Sequence, residues 1–241
     1  MLRESRAVGE LYHVYNRGND RRDIFLDERD RARFLLSLLF LQTFDAPDKL
    51  DRLVTKFLNQ GALPYSPEEA ARAMRTPLVH VVAFALMPNH FHLLLMEQRG
   101  GGISKYLQRL LISYTKYFNT KRERDGHVLQ GAYRSVHIED DAQLLHCSAY
   151  IHRNPRDLPR WHGKEHLYPW SSYQDYVSGS RWGAFLQPGI VLSQFANQGK
   201  RYQRYVEQSG AKDRLMDPVL LIDRDEPIRT QTRVVQGVLL S

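Results

Sequence analysis

The most apolar stretch of the chain, residues 79–96, is interrupted at its centre by a proline and an asparagine. The stretch is long enough for a helix, but Pro88 has no amide hydrogen to donate and its ring clashes with the preceding helical turn. Two strands over about 79–86 and 90–96, joined by a tight Pro-Asn turn, fit the pattern better. The sequence therefore predicts a pair of buried core strands.

Further strands and helices are predicted before and after this pair from residue type, N-cap candidates and apolar spacing. They are a strand over 11–17, a helix after Asp27, a helix over about 103–120, a hairpin-like segment with strands at 128–129 and 135–138, a helix from Asp140 or Asp141 to about Asn154 where Pro155 stops it, and short helices around 171–177 and 198–208. This order predicts an antiparallel sheet backed by helices, an α+β fold.

Two parts of the chain stand apart from this pattern. Residues 45–77 contain four prolines and only weak helical patterns, around 48–59 and 67–75, so we interpret them as an insertion. We expect a main domain over residues 1–177. Residues 178–241 are expected to form a partly helical C-terminal extension, with a loose tail over about the last 20 residues.

Composition narrows the function classes. The chain of 241 residues has 34 Lys and Arg against 27 Asp and Glu, a formal net charge of +7, which favours a polyanionic partner such as nucleic acid. Its single cysteine, Cys147, excludes an intramolecular disulfide and a cysteine-based zinc cluster. No apolar run approaches the ~20 residues that cross a bilayer, and the amino terminus has no apolar signal core. We expect a cytoplasmic protein.

Two histidines of the second core strand, His90 and His92, are separated by one residue. Side chains alternate along a strand, so the two imidazoles share one face and Phe91 takes the other. Two imidazoles at this spacing can bind one divalent metal ion, and polar rings inside an apolar strand need compensation for their burial. The alternative is a pair of polar residues with ordinary structural partners at the start of a strand.

Tyr150 and Asn154 are four residues apart on the helix that Pro155 ends, and therefore share one face of it. The amide oxygen of Asn154 could be a third metal ligand. A phenol is ordinarily protonated at neutral pH, with a pKa of about 10, but a nearby divalent cation favours the phenolate and polarises a bound phosphate. Tyr114 and Tyr117 are also on a predicted helix but have no potential ligand four residues later, so Tyr150 is the stronger candidate. The alternative is an ordinary core or surface tyrosine.

Basic and aromatic residues accompany these candidates along the chain. Cations can follow the phosphates of a single nucleic-acid strand while rings stack on its bases. The basic residues that we predict to contact nucleic acid are Arg17, Lys105, Arg109, Lys116, Arg134, Arg153 and Arg156. For any one of them the alternative is a solvated helix face.

Five stretches together have the order of a known family. They are YHVYNRGNDRRDIF at 12–25, FALMPNHFHLLLME at 84–97, the segment 103–135, LLHCSAYIHRNPRDL at 144–158 and YPWSSYQDY at 168–176. In these stretches the chain resembles the single-tyrosine HUH transposases of insertion-sequence type, most closely the REP-associated tyrosine transposases. The His-x-His pair alone is a weak motif, whereas the MPNH lead-in combined with the downstream YIHRNP is specific.

The resemblance implies a ferredoxin-like (RRM-like) antiparallel sheet with helices on one face and the histidine pair on a central strand. It implies that His90, His92 and Asn154 bind a divalent metal ion, Mg²⁺ or Mn²⁺, with Zn²⁺ also open for imidazole ligands. Tyr150 would attack a DNA phosphodiester and form a 5′-phosphotyrosine and a free 3′-hydroxyl. The implied partner is single-stranded or hairpin DNA with REP-like palindromes, and no membrane.

Alternatives stay open at this point. A non-catalytic protein that binds DNA hairpins on the same fold is the alternative to the enzyme, although the complete set of four site residues favours chemistry. A rolling-circle-type initiator would share that chemistry. The insertion at 45–77 and the extension after 177 depart from the compact family pattern, so substrate recognition and the choice between monomer and homodimer are undecided.

Overall fold

The computed structural model describes residues 7–211 apart from residues 45, 46, 48 and 64. The strands in this part of the chain are β1 (Leu11–Arg17), β2 (Val79–Met87), β3 (His90–Glu97) and β4 (Arg134–Ile138). The α-helices are α1 (Glu28–Phe40), α2 (Leu50–Gln60), α3 (Pro67–Ala73), α4 (Gly102–Lys121), α5 (Asp141–Arg153), α6 (Tyr173–Ser178), α7 (Gly189–Leu192) and α8 (Gly199–Gln208). The predicted C-terminal tail lies outside the described residues.

The four strands form one antiparallel sheet in the order β2-β3-β1-β4. With α1 between β1 and β2 and α4 between β3 and β4, this is the predicted ferredoxin-like arrangement, which is confirmed. The register places Tyr15 of β1 opposite both His92 of β3 and Arg134 of β4. Arg17 of β1 lies opposite His90. Directly opposite residues share a face of the sheet, so these five side chains lie on the same side.

Helices cover both faces of this sheet, whereas the sequence predicted them on one. Helices α1 and α4 pack on the face that carries Phe91 and Leu93, and α5 packs on the face that carries Leu94 and Ala85. The reason is that β2 and β3 have apolar side chains pointing in both directions, so each face must be covered. The second face, under α5, is the one that carries His90 and His92.

The predicted insertion and the extension both join the core. Helix α2 packs on α1 and buries Val54. In the extension, Trp182 and Phe185 belong to the core under α1 and α4, whereas Val191 and Val206 belong to the core around α5. The described part of the extension therefore contributes to the core on both sides of the sheet. No helix among the described residues is long and apolar enough to cross a membrane.

The predicted hairpin at 128–138 is wrong. Leu129 forms an isolated bridge with Gly18, and β4 pairs with β1 instead of with the segment at 128–129. Alternation of apolar and polar residues identifies a strand but not the strand with which it pairs. Here β4 pairs with the edge of β1 and not with the segment at 128–129.

An ion-pair network connects the first turn of α1 to the last turn of α4. The Lys121 ammonium lies 2.8 Å from Asp27 and 2.7 Å from Asp30, and the Arg122 guanidinium lies 2.9 Å from Asp27 and 2.8 Å from Asp30. Partial burial works to raise the pKa of Asp27, but the hydrogen bonds from Lys121 and from the Asp30 amide, with the nearby positive charges, lower it to about 2. The predicted N-cap role of Asp27 is confirmed, because its carboxylate accepts from the Asp30 amide.

Candidate active site

Strand β3 and helix α5 bring the four predicted site residues together. The ring of Tyr150 packs edge-on against His92, with 5.3 Å between centroids, and the rings of His90 and His92 lie 5.1 Å apart at 85°. Tyr150 and Asn154 are fully buried and His92 is 1% exposed, while His90 is half-buried. The site therefore lies between the sheet and α5, and His90 is the member of the four nearest to solvent.

The orientation of Asn154 follows from the proline after it. Pro155 has no amide hydrogen, so the Ile151 carbonyl cannot receive its usual helical donor and accepts from the Asn154 amide instead. Because the Asn154 amide donates to Ile151, it does not donate to the Tyr150 carbonyl as it would in a continuing helix. The Asn154 side-chain Nδ2 donates to that carbonyl instead, at 2.9 Å. Since Nδ2 is used in this way, Oδ1 of Asn154 is the atom that faces β3.

The orientation of His90 is fixed by the turn residue before it. Asn89 donates from Nδ2 to the Arg21 carbonyl at 3.2 Å, and its Oδ1 lies 2.7 Å from His90 Nδ1. Asn89 Oδ1 can only accept, so Nδ1 of His90 carries the proton and Nε2 presents a lone pair. A histidine that donates one nitrogen to an oxygen and presents the other is in the state that metal ligation requires.

His90 Nε2 and Asn154 Oδ1 lie 3.4 Å apart and face each other. In the neutral tautomer of His90 that donates from Nδ1, Nε2 and the Asn154 Oδ1 are both acceptors, and a cation between them would satisfy both. Ligands that are each about 2.1 Å from a metal ion lie about 3.0–3.5 Å from one another at right-angled to tetrahedral geometry. The separation and the donor types therefore fit one small divalent cation.

Among the described residues, no group of three or more His, Cys, Asp and Glu side chains is arranged to hold a metal ion. A metal at this site would therefore depend on the two histidines and the Asn154 amide oxygen. An ion with so few protein ligands keeps positions for water or for oxygens of a bound phosphate, as Mg²⁺ and Mn²⁺ sites commonly do.

The residues around α5 fix this helix against the C-terminal extension. His152 is fully buried and lies 2.6 Å from the Tyr202 hydroxyl through Nδ1 and 2.8 Å from the Ser172 hydroxyl through Nε2. Burial lowers the pKa of His152 to about 3, so the ring is neutral at neutral pH. The Arg153 guanidinium donates to the carbonyls of Val206 and Ser209 at the end of α8.

Four of the basic residues that the sequence predicts to contact nucleic acid are exposed elsewhere or engaged with the protein backbone, and do not line the candidate site. Arg153 is 5% exposed and its guanidinium donates to backbone carbonyls of the extension, which is a structural contact, and its contact with nucleic acid stays a prediction. Lys105, Arg109 and Lys116 belong to α4, on the opposite face of the sheet from Tyr150, and therefore do not line the site. Arg109 donates to the carbonyls of residues 41, 43 and 44, just after α1.

The other three predicted basic residues lie nearer to the site. Arg17 is directly opposite His90 in the β1–β3 register, and its guanidinium donates to Gln130. Arg134 is exposed and lies in the same cross-strand row as Tyr15 and His92. Arg156 is half-buried in the 3₁₀ turn that follows α5.

The sequence reasoning missed His13, Tyr15 and Asn89. His13 is 2% exposed, and its Nε2 lies 3.0 Å from Nδ1 of His92. The Tyr15 ring is stacked on His92 at 5.7 Å. The strand pattern YHVYNR placed His13 and Tyr15 on one face, but the pairing of β1 with β3 was needed to show that this is the face of the site.

Comparison with known proteins relates part of the chain to a family. The model of a family described as transposase, IS200-like, matches residues 67–154. The resemblance to insertion-sequence-type transposases is confirmed. A solved structure of a REP-associated tyrosine transposase bound to a REP hairpin is 14% identical in an alignment that covers 72% of this chain and 82% of that chain, with a TM-score of 0.46. No curated protein matches the chain.

The segment that matches the IS200-like transposases begins at α3, inside the predicted insertion, and ends at Asn154. It contains both histidines of β3 and Tyr150 of α5. Strand β1 and the C-terminal extension lie outside it, so His13 and the contacts of α8 with α5 are features that this family match does not describe.

Proposed function

We propose that this protein is a metal-dependent transposase that cleaves and rejoins single-stranded DNA at a hairpin through a 5′-phosphotyrosine intermediate. The observation that carries the proposal is the pair of acceptor atoms, His90 Nε2 and Asn154 Oδ1, facing each other at 3.4 Å on the face of the sheet where Tyr150 packs against His92. The match of residues 67–154 to IS200-like transposases supports the same reaction class.

The chemistry assigned to the chain is one nucleophilic displacement and its reversal. The Tyr150 oxygen attacks the phosphorus of a phosphodiester, a bond forms between them, and the bond from phosphorus to the 3′ oxygen breaks. The phenol proton is released, and the departing 3′ oxygen takes up a proton to become a 3′-hydroxyl. The second exchange reverses these steps with a new 3′-hydroxyl, so each bond broken is replaced by one of similar energy.

The divalent cation, Mg²⁺ or Mn²⁺, would be held by His90, His92 and Asn154. The bound cation supplies Lewis acidity to the phosphate and favours the phenolate form of the nucleophile. Asn154 has a double role, because the amide that presents Oδ1 to His90 also donates Nδ2 to the Tyr150 carbonyl. The same side chain therefore fixes the distance between the ligand set and the helix of the nucleophile.

Arg17 and Arg134 are the basic residues that we propose for DNA contacts at the site. Both lie on the sheet face of the histidines, in rows that contain His90 and His92 respectively. Guanidinium groups suit phosphate oxygens because their fork of donors matches two acceptors at once. The proposed substrate path therefore runs across the β3-β1-β4 side of the sheet toward Tyr150.

The burial of Tyr150 favours a second candidate, a protein that binds hairpin DNA without cleaving it. The Tyr150 side chain has no exposed surface in this conformation. Cleavage requires that bound DNA open the space between α5 and the sheet, whereas binding alone does not. The two candidates differ in one observable product, the covalent protein–DNA adduct.

The test uses purified full-length protein, a hairpin oligonucleotide library with single-stranded flanks, and Mn²⁺ or EDTA. A label on the 3′ end of the oligonucleotide should migrate with the protein in a denaturing gel, and a label on the 5′ end should remain on the free fragment. Tyr150→Phe should remove the adduct and retain binding, while Tyr205→Phe, a matched loss of a hydroxyl on α8, should leave both unchanged. An undiminished adduct with Tyr150→Phe would assign the nucleophile to another residue, and the absence of any adduct from the wild type with Mn²⁺ would refute the transposase.

A further inference from the structure

The buried imidazole of His13 has no role in the reaction described above, yet it contacts one of the metal-binding candidates. His13 belongs to β1 and shares a sheet face with Tyr15, which lies opposite His92. Its Nε2 is 3.0 Å from Nδ1 of His92, and the two rings are stacked at 20° with 5.2 Å between centroids. Two imidazoles at this distance share one proton between facing nitrogens.

The shared proton couples the tautomers of the two rings. A neutral imidazole binds a metal ion through its deprotonated nitrogen and carries its proton on the other. Since Nδ1 of His92 is the atom that contacts His13, Nε2 is the nitrogen left for a metal, and Nδ1 must then carry the proton and donate it. His13 Nε2 must accept, which places the proton of His13 on its own Nδ1.

The same contact makes His13 unsuited to be a ligand itself. Its Nε2 faces His92, and His13, His90 and His92 do not form a metal-holding group in the described part of the chain. In known metal sites the acceptor behind a ligating histidine is usually a carboxylate, a backbone carbonyl or water. In this fold an imidazole from a neighbouring strand occupies that position.

We propose that His13 is a positioning residue, which accepts from His92 Nδ1 and thereby keeps His92 Nε2 deprotonated for the metal ion. The proposal rests on the proposed function, because the metal site is part of that function. Asn89 is the equivalent partner of His90, with Oδ1 2.7 Å from His90 Nδ1. Each ligating histidine then has its own acceptor, one from the β2–β3 turn and one from β1.

Packing is the competing explanation for His13. Its ring is stacked on Tyr15 at 5.2 Å and lies edge-on to Tyr150 at 5.9 Å, so the residue also fills the space between the sheet and α5. Two substitutions separate the explanations. His13→Phe keeps a ring in this space and removes the acceptor, whereas His13→Gln removes the ring and keeps an acceptor oxygen near the position of Nε2.

The experiment measures Mn²⁺ binding to full-length protein without DNA, by calorimetry and by EPR of the free ion, with thermal unfolding in EDTA recorded for each variant. His13→Phe should bind Mn²⁺ about 10–100-fold more weakly than the wild type, the range found for loss of such partners. His13→Gln should retain most of the affinity. A pure packing role predicts the reverse order, with the phenylalanine variant closer to the wild type.

Three results would overturn the inference, and they are distinguishable. Undiminished Mn²⁺ affinity in folded His13→Phe overturns the positioning role alone. Pulsed EPR of bound Mn²⁺ counts coordinated imidazole nitrogens, and a count lower by one in His13→Gln than in the wild type would make His13 a ligand. A wild type that binds no Mn²⁺ overturns the metal site of the proposed function as well. An equal count with affinity retained in His13→Gln supports the proposal even where His13→Phe fails to fold.

Discussion

Replacing Tyr202 with phenylalanine removes the hydroxyl that connects helix α8 of the extension to the helix of the proposed nucleophile. This hydroxyl lies 2.6 Å from His152 Nδ1 and donates to the Ser148 hydroxyl at 3.1 Å, both on α5. The ring itself would be retained, packed against Tyr176 at 4.8 Å and Phe195 at 5.3 Å. The substitution therefore changes hydrogen bonding while leaving the apolar contacts in place.

The loss in the free energy of unfolding depends on which hydrogen bonds Ser148 and His152 retain without the Tyr202 hydroxyl. Ser148 keeps a hydrogen bond, because its hydroxyl also donates to the Leu145 carbonyl at 2.8 Å. His152 is fully buried, and its Nδ1 would lose the contact with Tyr202. A buried polar group left without a partner costs about 1–3 kcal/mol, so we expect a loss of about 2 kcal/mol in the free energy of unfolding. For a chain of this size that corresponds to a decrease of about 4–8 °C in Tm.

Thermal and urea unfolding of Tyr202→Phe measure this loss, and Tyr205→Phe is the matched control. Tyr205 lies on the same helix, is half-buried and loses the same oxygen atom, so its variant should unfold within about 0.5 kcal/mol of the wild type. Hydrogen exchange of the α5 amides should accelerate in Tyr202→Phe only. Equal unfolding free energies for the two variants would refute the conclusion that the hydroxyl network fixes α5.

Three further predictions concern other parts of the fold. Arg134→Ala should weaken hairpin binding and reduce the slope of log affinity against log salt by about 1, whereas Arg109→Ala should leave the slope unchanged and lower Tm, because Arg109 satisfies the carbonyls after α1. The lowered pKa of Asp27, about 2 in the folded protein against 3.8, means that its ion pairs stabilise the fold above about pH 4 and that this stability is lost toward pH 2. Since this carboxylate is 44% exposed, we expect the loss to be about 1 kcal/mol, and Asp27→Asn should remove that part of the acid dependence. Gly18→Ala should destabilise the fold by about 1–3 kcal/mol in urea unfolding, because the added carbon would lie 2.0 Å from the carbonyl oxygen of residue 22.

Strand and helix positions followed closely from local chemistry. Pro88 separates β2 from β3, Asp27 begins α1, and Pro155 follows the end of α5, each through a property of a single residue type. The hairpin prediction at 128–138 was wrong because strand pairing is a tertiary choice, and the alternating pattern there contains nothing that excludes β1 as the partner. Helices on the second face could have been expected from β3, where Leu93 and Leu94 are both buried.

The basic residues show the limit of the same reasoning. A basic residue on a helix is predicted to be solvated because of its residue type. The residue type does not indicate which face of the sheet the helix covers or which other segment packs on the helix. Arg109 and Arg153 both donate to backbone carbonyls, of the segment after α1 and of the end of α8. Carbonyls at helix ends lack intrahelical donors, and a guanidinium with five donors is well suited to them. For any arginine near a helix end, the sequence therefore also predicts hydrogen bonds to helix-end carbonyls as an alternative to solvent exposure.

The candidate site divides into a part that local spacing predicts and a part that strand pairing creates. His90 and His92 share a face because they are two residues apart, and Tyr150 shares a face with Asn154 because they are four apart, so each pair follows from its own element. His13 is distant from both pairs in the sequence, and it reaches His92 only because β1 is paired with β3 in the register that places Tyr15 opposite His92. A shift of that register by one residue would turn His13 to the face of Phe91 and leave His92 with a different acceptor. The tautomer of a proposed metal ligand therefore depends on strand register, and the Mn²⁺ affinity of the His13 variants reports on the pairing of β1 with β3 as well as on the acceptor.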